Sequence, residues 1–394
     1  MSLQKNETYK SVKTFLPRTV VVLGLVSMFN DTASEMITPL LPLFLTATLG
    51  AGPAIVGLVE GLAEATASIL KLLSGWLVDR GWNHKKLVVA GYTVSNVSRP
   101  LIGLALGWTS VMVLRFLDRV GKGLRTSPRD ALIALSVDQQ IRGRAFGFHR
   151  TMDHAGAMLG PLLAFMLLQA GLELGDVFLA SLIPGLLVIL LVMFVLPTPA
   201  TPVVPETSRF HWYELDKRVR SLILAAGGIA LATAPEAFLI LWLSNAGIQV
   251  IWIPLIWAAA HAVRALVSTP AGILSDRIGR IPVVIIGWSA RVALLLVFAS
   301  NSDGTWLIWL LFLLYTGSTA FTEGAERALI GDFAPKEQRG TVYGLYHLIC
   351  GLLALPGALL FGSIWQWVSM EAAFYTAATL TAICAGSLLV LIRR

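Results

Sequence analysis

Acidic residues occur four positions apart at two places in the apolar N-terminal part of the chain. Asp31 and Glu35 form one pair, and Glu60 and Glu64 form the other. Residues four apart share one face of a helix, so each pair directs two carboxylates to the same side. Neighbouring carboxylates hold a shared proton tightly, and a nearby cation promotes its release. These residue types at this spacing predict proton coupling or substrate binding.

A basic stripe follows further along the chain. Its members recur at steps of three or four residues, which places them on one helical face. They are Arg115, Arg119, Lys122, Arg125 and Arg129. We interpret Arg115, Asp118, Arg119 and Lys122 as residues of a polar cavity, and we expect Asp31 and Glu35 beside Arg115. A static network of ion pairs that joins neighbouring helices is the alternative.

A smaller charged group lies in the second half of the chain, where Glu323, Glu326 and Arg327 are close in sequence. A lone charge in the middle of a bilayer costs roughly 3 kcal/mol on insertion scales. Ten cations and ten carboxylates nevertheless occur in otherwise apolar segments. Equal numbers imply mutual pairing or a water-filled cavity, and we interpret the second group as part of that cavity. Trp252 and Trp257 are further candidates to face it and to stack on a substrate.

The composition predicts helices that span a membrane. The chain has 394 residues, of which 56% are hydrophobic and 13% charged, whereas soluble domains carry about 25% charged residues. One span needs ~20 mostly apolar residues. We therefore predict an all-α integral membrane protein with twelve transmembrane helices, bent at Pro39, Pro42 and Pro235. The predicted spans are 17–46, 52–78, 86–107, 109–134, 144–170, 175–197, 219–245, 248–275, 281–301, 304–332, 340–369 and 371–392.

An internal repeat divides the chain into two halves. Identical residues recur 197 positions apart, and the repeated pairs are Gly75 and Gly272, Asp79 and Asp276, Arg80 and Arg277, Arg142 and Arg339, and Gly147 and Gly344. A duplication with an even number of spans in each copy gives two parallel halves, related by an axis along the membrane normal. We predict two pseudo-symmetric six-helix bundles at 1–197 and 219–394, joined by a polar cytoplasmic linker at 198–218, with substrate bound between the bundles.

Basic residues indicate the orientation in the membrane. Twenty of the 30 lysines and arginines lie in segments predicted to face one side, and none lies in the six connections predicted to face the other. Positive residues favour the cytoplasmic side. We expect both termini in the cytoplasm and the chain in the cytoplasmic (inner) membrane. The net charge of +7 then reflects this topology rather than nucleic-acid binding.

A loop motif carries a resemblance to a known family. The pattern G-x-x-x-D-R-x-G-R is complete in the second half, at Gly272, Asp276, Arg277, Gly279 and Arg280. The first half has Gly75, Asp79 and Arg80, but Trp82 and Asn83 occupy the last two positions. On these residues the chain resembles the major facilitator superfamily over nearly its whole length. The resemblance implies the twelve-helix fold of that family and a secondary transporter that works by alternating access.

The resemblance also implies a role for the loop motif as a gating latch. Asp79 would meet the end of a neighbouring helix or a cation in one state of the transporter and release it in the other. An ordinary turn, with glycine for close approach and Asp-Arg for solvation, is the alternative.

Two further stretches refine the resemblance. The run from Arg115 to Gly123 is similar to the family pattern R-x-x-Q-G-x-G-x-G, with Asp118 and Arg119 replacing glutamine and the first glycine. Gly156, Gly160 and Pro161 match the G-x-x-x-G-P motif of proton antiporters that export, although the usual following glycines are missing. The chain thus resembles a prokaryotic permease subgroup similar to proton-coupled efflux proteins.

These observations predict proton-coupled export of a small organic molecule, anionic or zwitterionic because of the basic stripe. Proton-coupled uptake of an organic anion is the main alternative, and a non-transporting membrane sensor is a further one. The sequence has no Walker A loop, no HExxH motif and no nucleophile elbow, so we expect no enzyme activity. We expect a monomer in the lipid bilayer, with protons as coupling ion, no nucleic-acid partner, no cofactor and no metal.

Overall fold

The computed structural model describes residues 16–138, 141–197, 217–300, 305–333 and 339–392. The predicted linker lies outside these ranges except for residues 217 and 218, which begin a helix. All regular secondary structure in the described ranges is helical. The prediction of an all-α membrane protein with twelve spans is confirmed.

Twelve helices, α1 to α12, correspond one by one to the predicted spans. Three are interrupted: α1 comprises Arg18–Ile37, Leu41–Leu43 and Phe44–Thr48, α6 comprises Leu174–Ala180, Leu182–Leu190 and Leu191–Val195, and α7 comprises Lys217–Ala232 and Glu236–Asn245. The others are α2 Pro53–Asp79, α3 His84–Leu101, α4 Trp108–Leu135, α5 Arg142–Gln169, α8 Ile253–Ile278, α9 Arg280–Ala299, α10 Thr305–Phe333, α11 Arg339–Trp367 and α12 Met370–Ile392.

Hydropathy explains most of these helices, and burial explains the rest. Nine helical segments of the described chain are long and apolar enough to cross a membrane, whereas α3 and α4 are too polar to be among them. In α4 the polar residues turn inward, and Arg115, Asp118, Arg119 and Arg125 are all buried. Large apolar residues are exposed on outer surfaces instead, as at Ile183, where lipid would cover them.

The helix contacts follow the internal repeat. Within the first half α1 packs on α5, α2 on α4 and α3 on α4, and within the second half α7 packs on α11, α8 on α10 and α9 on α10. Exchanging the halves maps each of the first three contacts onto one of the second three. The two main contacts between the halves, α2 with α11 and α5 with α8, are likewise related to each other. The bundles are therefore pseudo-symmetric.

The first helix of each half is broken near one end of the molecule. Helix α1 stops at Ile37 before Pro39, and the first segment of α7 ends at Ala232 before Pro235, which confirms the predicted bends. The short segment Leu41–Leu43 of α1 packs against the second segment of α7. Buried apolar residues from both halves, including Leu41 and Phe238, form one core there. This core closes the end opposite the predicted cytoplasmic connections.

Candidate functional site

Three adjoining cavities form a chamber within the helix bundle. The N-half compartment has a volume of about 850 Å³ and lies mainly between α1, α2, α4 and α5. The central compartment, about 340 Å³, lies between the halves, and the C-half compartment, about 440 Å³, is lined by α7 to α11. The last two share Thr233, Glu236 and Trp257 on their walls. Each volume suits a small organic ligand.

The chamber opens towards the predicted cytoplasmic end. Residues near the ends of α2, α4, α5 and α11 line the N-half compartment, among them Asp79, Asp130, Arg150 and Gly344. Asp79 and Arg150 are exposed there. The opposite end is sealed by the apolar core of α1 and α7. Among the described residues, the mouth of the chamber and the apolar core therefore lie at opposite ends of the bundle.

Asp118 is the centre of a buried ion cluster. Its Oδ1 accepts a hydrogen bond from Arg99 Nε at 2.7 Å, and its Oδ2 lies 3.5 Å from both Arg115 Nη1 and Arg119 Nε. The Asp118 side chain is fully buried. Because Arg99 is on α3, this cluster fastens α3 to α4. The geometry favours the static network for Asp118 and Arg119 over exchange with the chamber.

Arg115 extends this cluster to α2. Its Nη2 donates to both carboxylate oxygens of Glu60 at 3.2 Å. The acids on the first two spans were expected to meet the basic stripe, and Glu60 does so. Neither Asp31 nor Glu35 forms an ion pair with Arg115 in the described part of the chain.

Glu35 connects the two halves instead. Its Oε2 accepts a hydrogen bond from Trp257 Nε1 at 2.8 Å and lies 3.6 Å from His261 Nε2. Trp257 and His261 are both on α8, where their rings contact each other edge to face. Of the two tryptophans predicted to face the cavity, Trp257 faces the central compartment, whereas Trp252 lines none of the three compartments. No sequence pattern pointed to His261, because its partner is more than 200 residues away.

Asp31 and three further charged residues face the chamber. Asp31 accepts a hydrogen bond from Asn30 Nδ2 at 2.9 Å and lines the N-half compartment with Lys71 and Lys122. Glu64 lines the central compartment and is exposed to it although it lies in the middle of α2. Among the described residues, none of these four side chains has an ion-pair partner within 4.0 Å. Unpaired charges at this depth require water or a charged ligand.

The charged group of the second half is divided between two compartments. Arg327 Nη2 donates to Glu323 Oε1 at 2.6 Å, and Glu326 accepts from Trp288 Nε1 at 2.7 Å. Glu323 and Glu326 line the C-half compartment, whereas Arg327 lines the N-half compartment. This group therefore lies where the compartments approach each other.

The two copies of the loop motif differ in their contacts. In the second half Arg280 pairs with Asp276, donates to Ser275 Oγ at 2.8 Å and lies 3.5 Å from Asp332 at the end of α10. Gly279 has a φ of +96°, a conformation that favours glycine. Gly272 and Arg277 complete this copy, with open space beside Gly272 and Arg277 exposed.

The first-half copy makes fewer contacts. Arg80 stacks 3.8 Å from the Trp76 ring centroid, and Gly75 approaches Ser127 of α4. Asp79 is exposed at the mouth of the chamber and has no ion-pair partner among the described residues. Within the described ranges, only the second-half copy thus joins neighbouring helices through ion pairs.

The antiporter-like glycines bring α5 against α1. A Cβ on Gly156 would lie 2.2 Å from Met28 O, and one on Gly160 would lie 2.5 Å from Thr32 O. Small residues permit such close approach of membrane helices. Pro161 follows within α5 and is buried. These glycines therefore set the position of α1 at the level of Asp31 and Glu35.

Comparisons with known proteins agree with this architecture. A family model described as Major Facilitator Superfamily matches residues 23–352 and 249–394. An uncharacterized MFS-type transporter of Methanocaldococcus jannaschii is 34% identical over 384 residues, which cover 96% of this chain and 95% of the relative.

A third match covers a shorter region, and a fourth concerns the fold. Multidrug resistance protein MdtH of Salmonella paratyphi B is 30% identical over 154 residues, 38% of this chain and 35% of that protein. A crystal structure of a bacterial homologue of the human lysosomal transporter Spinster, inward-facing and occupied, superimposes with a TM-score of 0.78. The superposition covers 95% of this chain and 96% of the Spinster homologue at 15% sequence identity, so it shows that the two share a fold.

Proposed function

The chain belongs to the major facilitator superfamily and is a multi-pass membrane transporter, not an enzyme, and from this premise we propose proton-coupled export of a small organic anion or zwitterion. Transport proceeds by alternating access between a bundle at 1–197 and a bundle at 219–394. Residues 198–218 form the cytoplasmic linker. We place a monomer in the cytoplasmic membrane with both termini inside, the orientation that the distribution of lysine and arginine favours.

The contact of Glu35 with Trp257 and His261 carries the proposal. It joins α1 to α8 across the boundary between the halves, while the chamber opens at the predicted cytoplasmic end. Trp257 Nε1 can only donate a hydrogen bond, so the contact favours an ionised carboxylate. In this state Glu35 gives up its proton most readily, and the contact stabilises the inward-open arrangement.

The outward-open state must break this contact, because the halves separate on the other side of the chamber. Glu35 then loses its donors and binds a proton from outside more readily. Because the surroundings of Glu35 differ between the two states, this one carboxylate binds a proton on the outside and releases it on the inside. An inward proton gradient thereby drives the conformational cycle.

The direction of substrate movement rests on two supporting observations. The glycines at 156 and 160 match a motif of exporting antiporters and lie against α1 beside Glu35. The partial relative MdtH is named as a multidrug resistance protein. Charged residues of both signs face the chamber, including Asp31, Lys71 and Lys122, which suits an anionic or zwitterionic substrate.

Transport into inverted membrane vesicles tests the proposal. Vesicles that contain the transporter are acidified inside, and a set of labelled organic anions and zwitterions is supplied outside with and without a protonophore. Export in the cell corresponds to protonophore-sensitive accumulation in these vesicles. Accumulation only in right-side-out vesicles under an inward proton gradient would establish uptake instead. The Glu35→Gln variant should lose gradient-driven transport, whereas Asp138→Asn, at an exposed position outside the chamber, should retain it.

A further inference from the structure

Arg291 is a buried cation of the C-half compartment, and no carboxylate of the described ranges forms an ion pair with it. It lies on α9, is 4% exposed and lines the compartment. Its Nη2 donates to Thr322 Oγ1 at 3.3 Å and its Nη1 to Thr233 Oγ1 at 3.5 Å, while its Nε has no hydrogen-bond partner in the described part of the chain. A guanidinium has five N–H donors, so two long bonds to neutral hydroxyls leave it undersatisfied.

The carboxylates around Arg291 are engaged elsewhere. Glu236 pairs with Arg264, and Glu323 pairs with Arg327. Glu326 accepts a hydrogen bond from Trp288 and lies beyond ion-pair distance of Arg291, as judged over the described residues. The residues that the structure describes therefore supply no anion to this guanidinium in the inward-open state.

A second unsatisfied donor lies on the same wall. Tyr315 of α10 is 2% exposed, lines the C-half compartment and has no partner for its hydroxyl among the described residues. Thr316, Thr319 and Thr322 line the compartment on the same helix. Arg291 and Tyr315 are thus two buried donors directed at one cavity, and a row of hydroxyl groups lies beside them.

We propose that Arg291 and Tyr315 form an oxyanion-binding subsite that receives the carboxylate, or a chemically equivalent oxyanion, of the transported molecule. Arginine suits this role because its planar guanidinium binds two oxygens of a carboxylate at once. A compartment of about 440 Å³ accommodates the remainder of a small molecule. The inference rests on the proposed function and adds to it where the charged end of the substrate binds.

Thermal unfolding of the purified full-length protein tests the subsite without transport. The probes are benzoate and its uncharged isostere benzamide, since a ligand that binds the folded state raises the melting temperature. We expect benzoate to stabilise the wild-type protein and benzamide to have little effect. Arg291→Gln should abolish this difference. Tyr315→Phe should raise about tenfold the benzoate concentration that gives half-maximal stabilisation. Arg144→Gln, an exposed change outside the chamber, is the matched control and should behave as wild type.

Two results would overturn the subsite: equal stabilisation of the wild type by benzoate and benzamide, or an unchanged benzoate effect in both Arg291→Gln and Tyr315→Phe. Tyr315→Phe removes one oxygen and tests the idea even if Arg291→Gln does not fold. Loss of vesicle transport under every gradient, together with an Arg291-dependent benzoate effect, would refute the proposed function alone. Gradient-driven transport with an Arg291-independent benzoate effect would refute the subsite alone.

Discussion

Gly160 of α5 lies directly against Glu35 of α1: a Cβ built on Gly160 would be 3.0 Å from Glu35 Cβ and 2.5 Å from Thr32 O. The absence of a side chain at position 160 therefore fixes where the proposed proton-coupling carboxylate lies. The same α5 also packs on α8, which carries the two partners of Glu35. The position of Glu35 between α5 and α8 is thus set by packing on both sides.

Gly160→Val should impair transport by displacing α1 from α5. The added methyl groups would meet backbone atoms of α1, which cannot move aside as a flexible side chain can, and the contact of Glu35 with Trp257 should lengthen. We expect at least a tenfold loss of proton-driven transport, since a 1 Å displacement at a functional site can cost about a hundredfold in rate. The measurement is vesicle transport normalised to the amount of folded protein.

Gly147→Ala is the matched control for this change. Gly147 is on the same helix, but a Cβ there would have no atom within 4 Å. Normal transport by both variants would show that the close approach at Gly160 has no bearing on coupling.

Glu35→Gln should shift the conformational balance towards the outward-open state. The neutral amide resembles the protonated carboxyl: it carries no charge beside His261, and it is a weaker hydrogen-bond acceptor for Trp257 Nε1. Spin-label distances across the sealed end should increase in the variant. The wild type should show the same increase as the pH falls, because proton binding removes the charge, and the variant should show no such response to pH. A wild-type distance distribution that does not change with pH would contradict this mechanism.

Asp118→Asn should destabilise the protein more than any other single change in the charged network. The substitution leaves Arg99, Arg115 and Arg119 buried around a neutral group, and such a loss costs about 3–5 kcal/mol. Glu60→Gln should cost less, because the Glu60 side chain is 24% exposed and can be solvated from the chamber. Thermal unfolding in detergent should therefore rank wild type above Glu60→Gln, and Glu60→Gln above Asp118→Asn. The reverse order would show that Asp118 is not the structural centre of the cluster.

The fold was predictable because its signals are local. Apolar runs, proline breaks and the 197-residue repeat each occur within the sequence, and they predicted the spans and the bends of α1 and α7. The site was predictable only in part. The spacing of Asp31 and Glu35 correctly places both on the chamber-facing side of α1, but it does not specify their partners.

Partners depend on how far each helix is rotated and how closely it approaches its neighbours. Glu35 meets His261 and Trp257 from the other half, and Arg115 meets Glu60 rather than Asp31 or Glu35. Arg99, which binds Asp118 most closely, lies 19 residues from it on another helix. No pattern along one helix encodes such contacts, so the sequence identified the charged residues without the pairs that they form.

The second-half loop motif provides a test of the gating latch. Arg280, at the start of α9, contacts Asp276 at the end of α8 and Asp332 at the end of α10, while the chamber is open on that side. Asp276→Asn removes one of the two acidic partners, and we expect it to change the population of the inward-open state. A cysteine introduced at Gly344, on the chamber wall, should then react with a membrane-impermeant thiol reagent at a rate different from that in the parent protein. The parent for this experiment has Cys350 and Cys384 replaced by serine, and Asp138→Asn in that background controls for loss of a surface charge. Equal labelling rates in the Asp276→Asn and control proteins would mean that the motif is an ordinary turn, with no part in holding the gate.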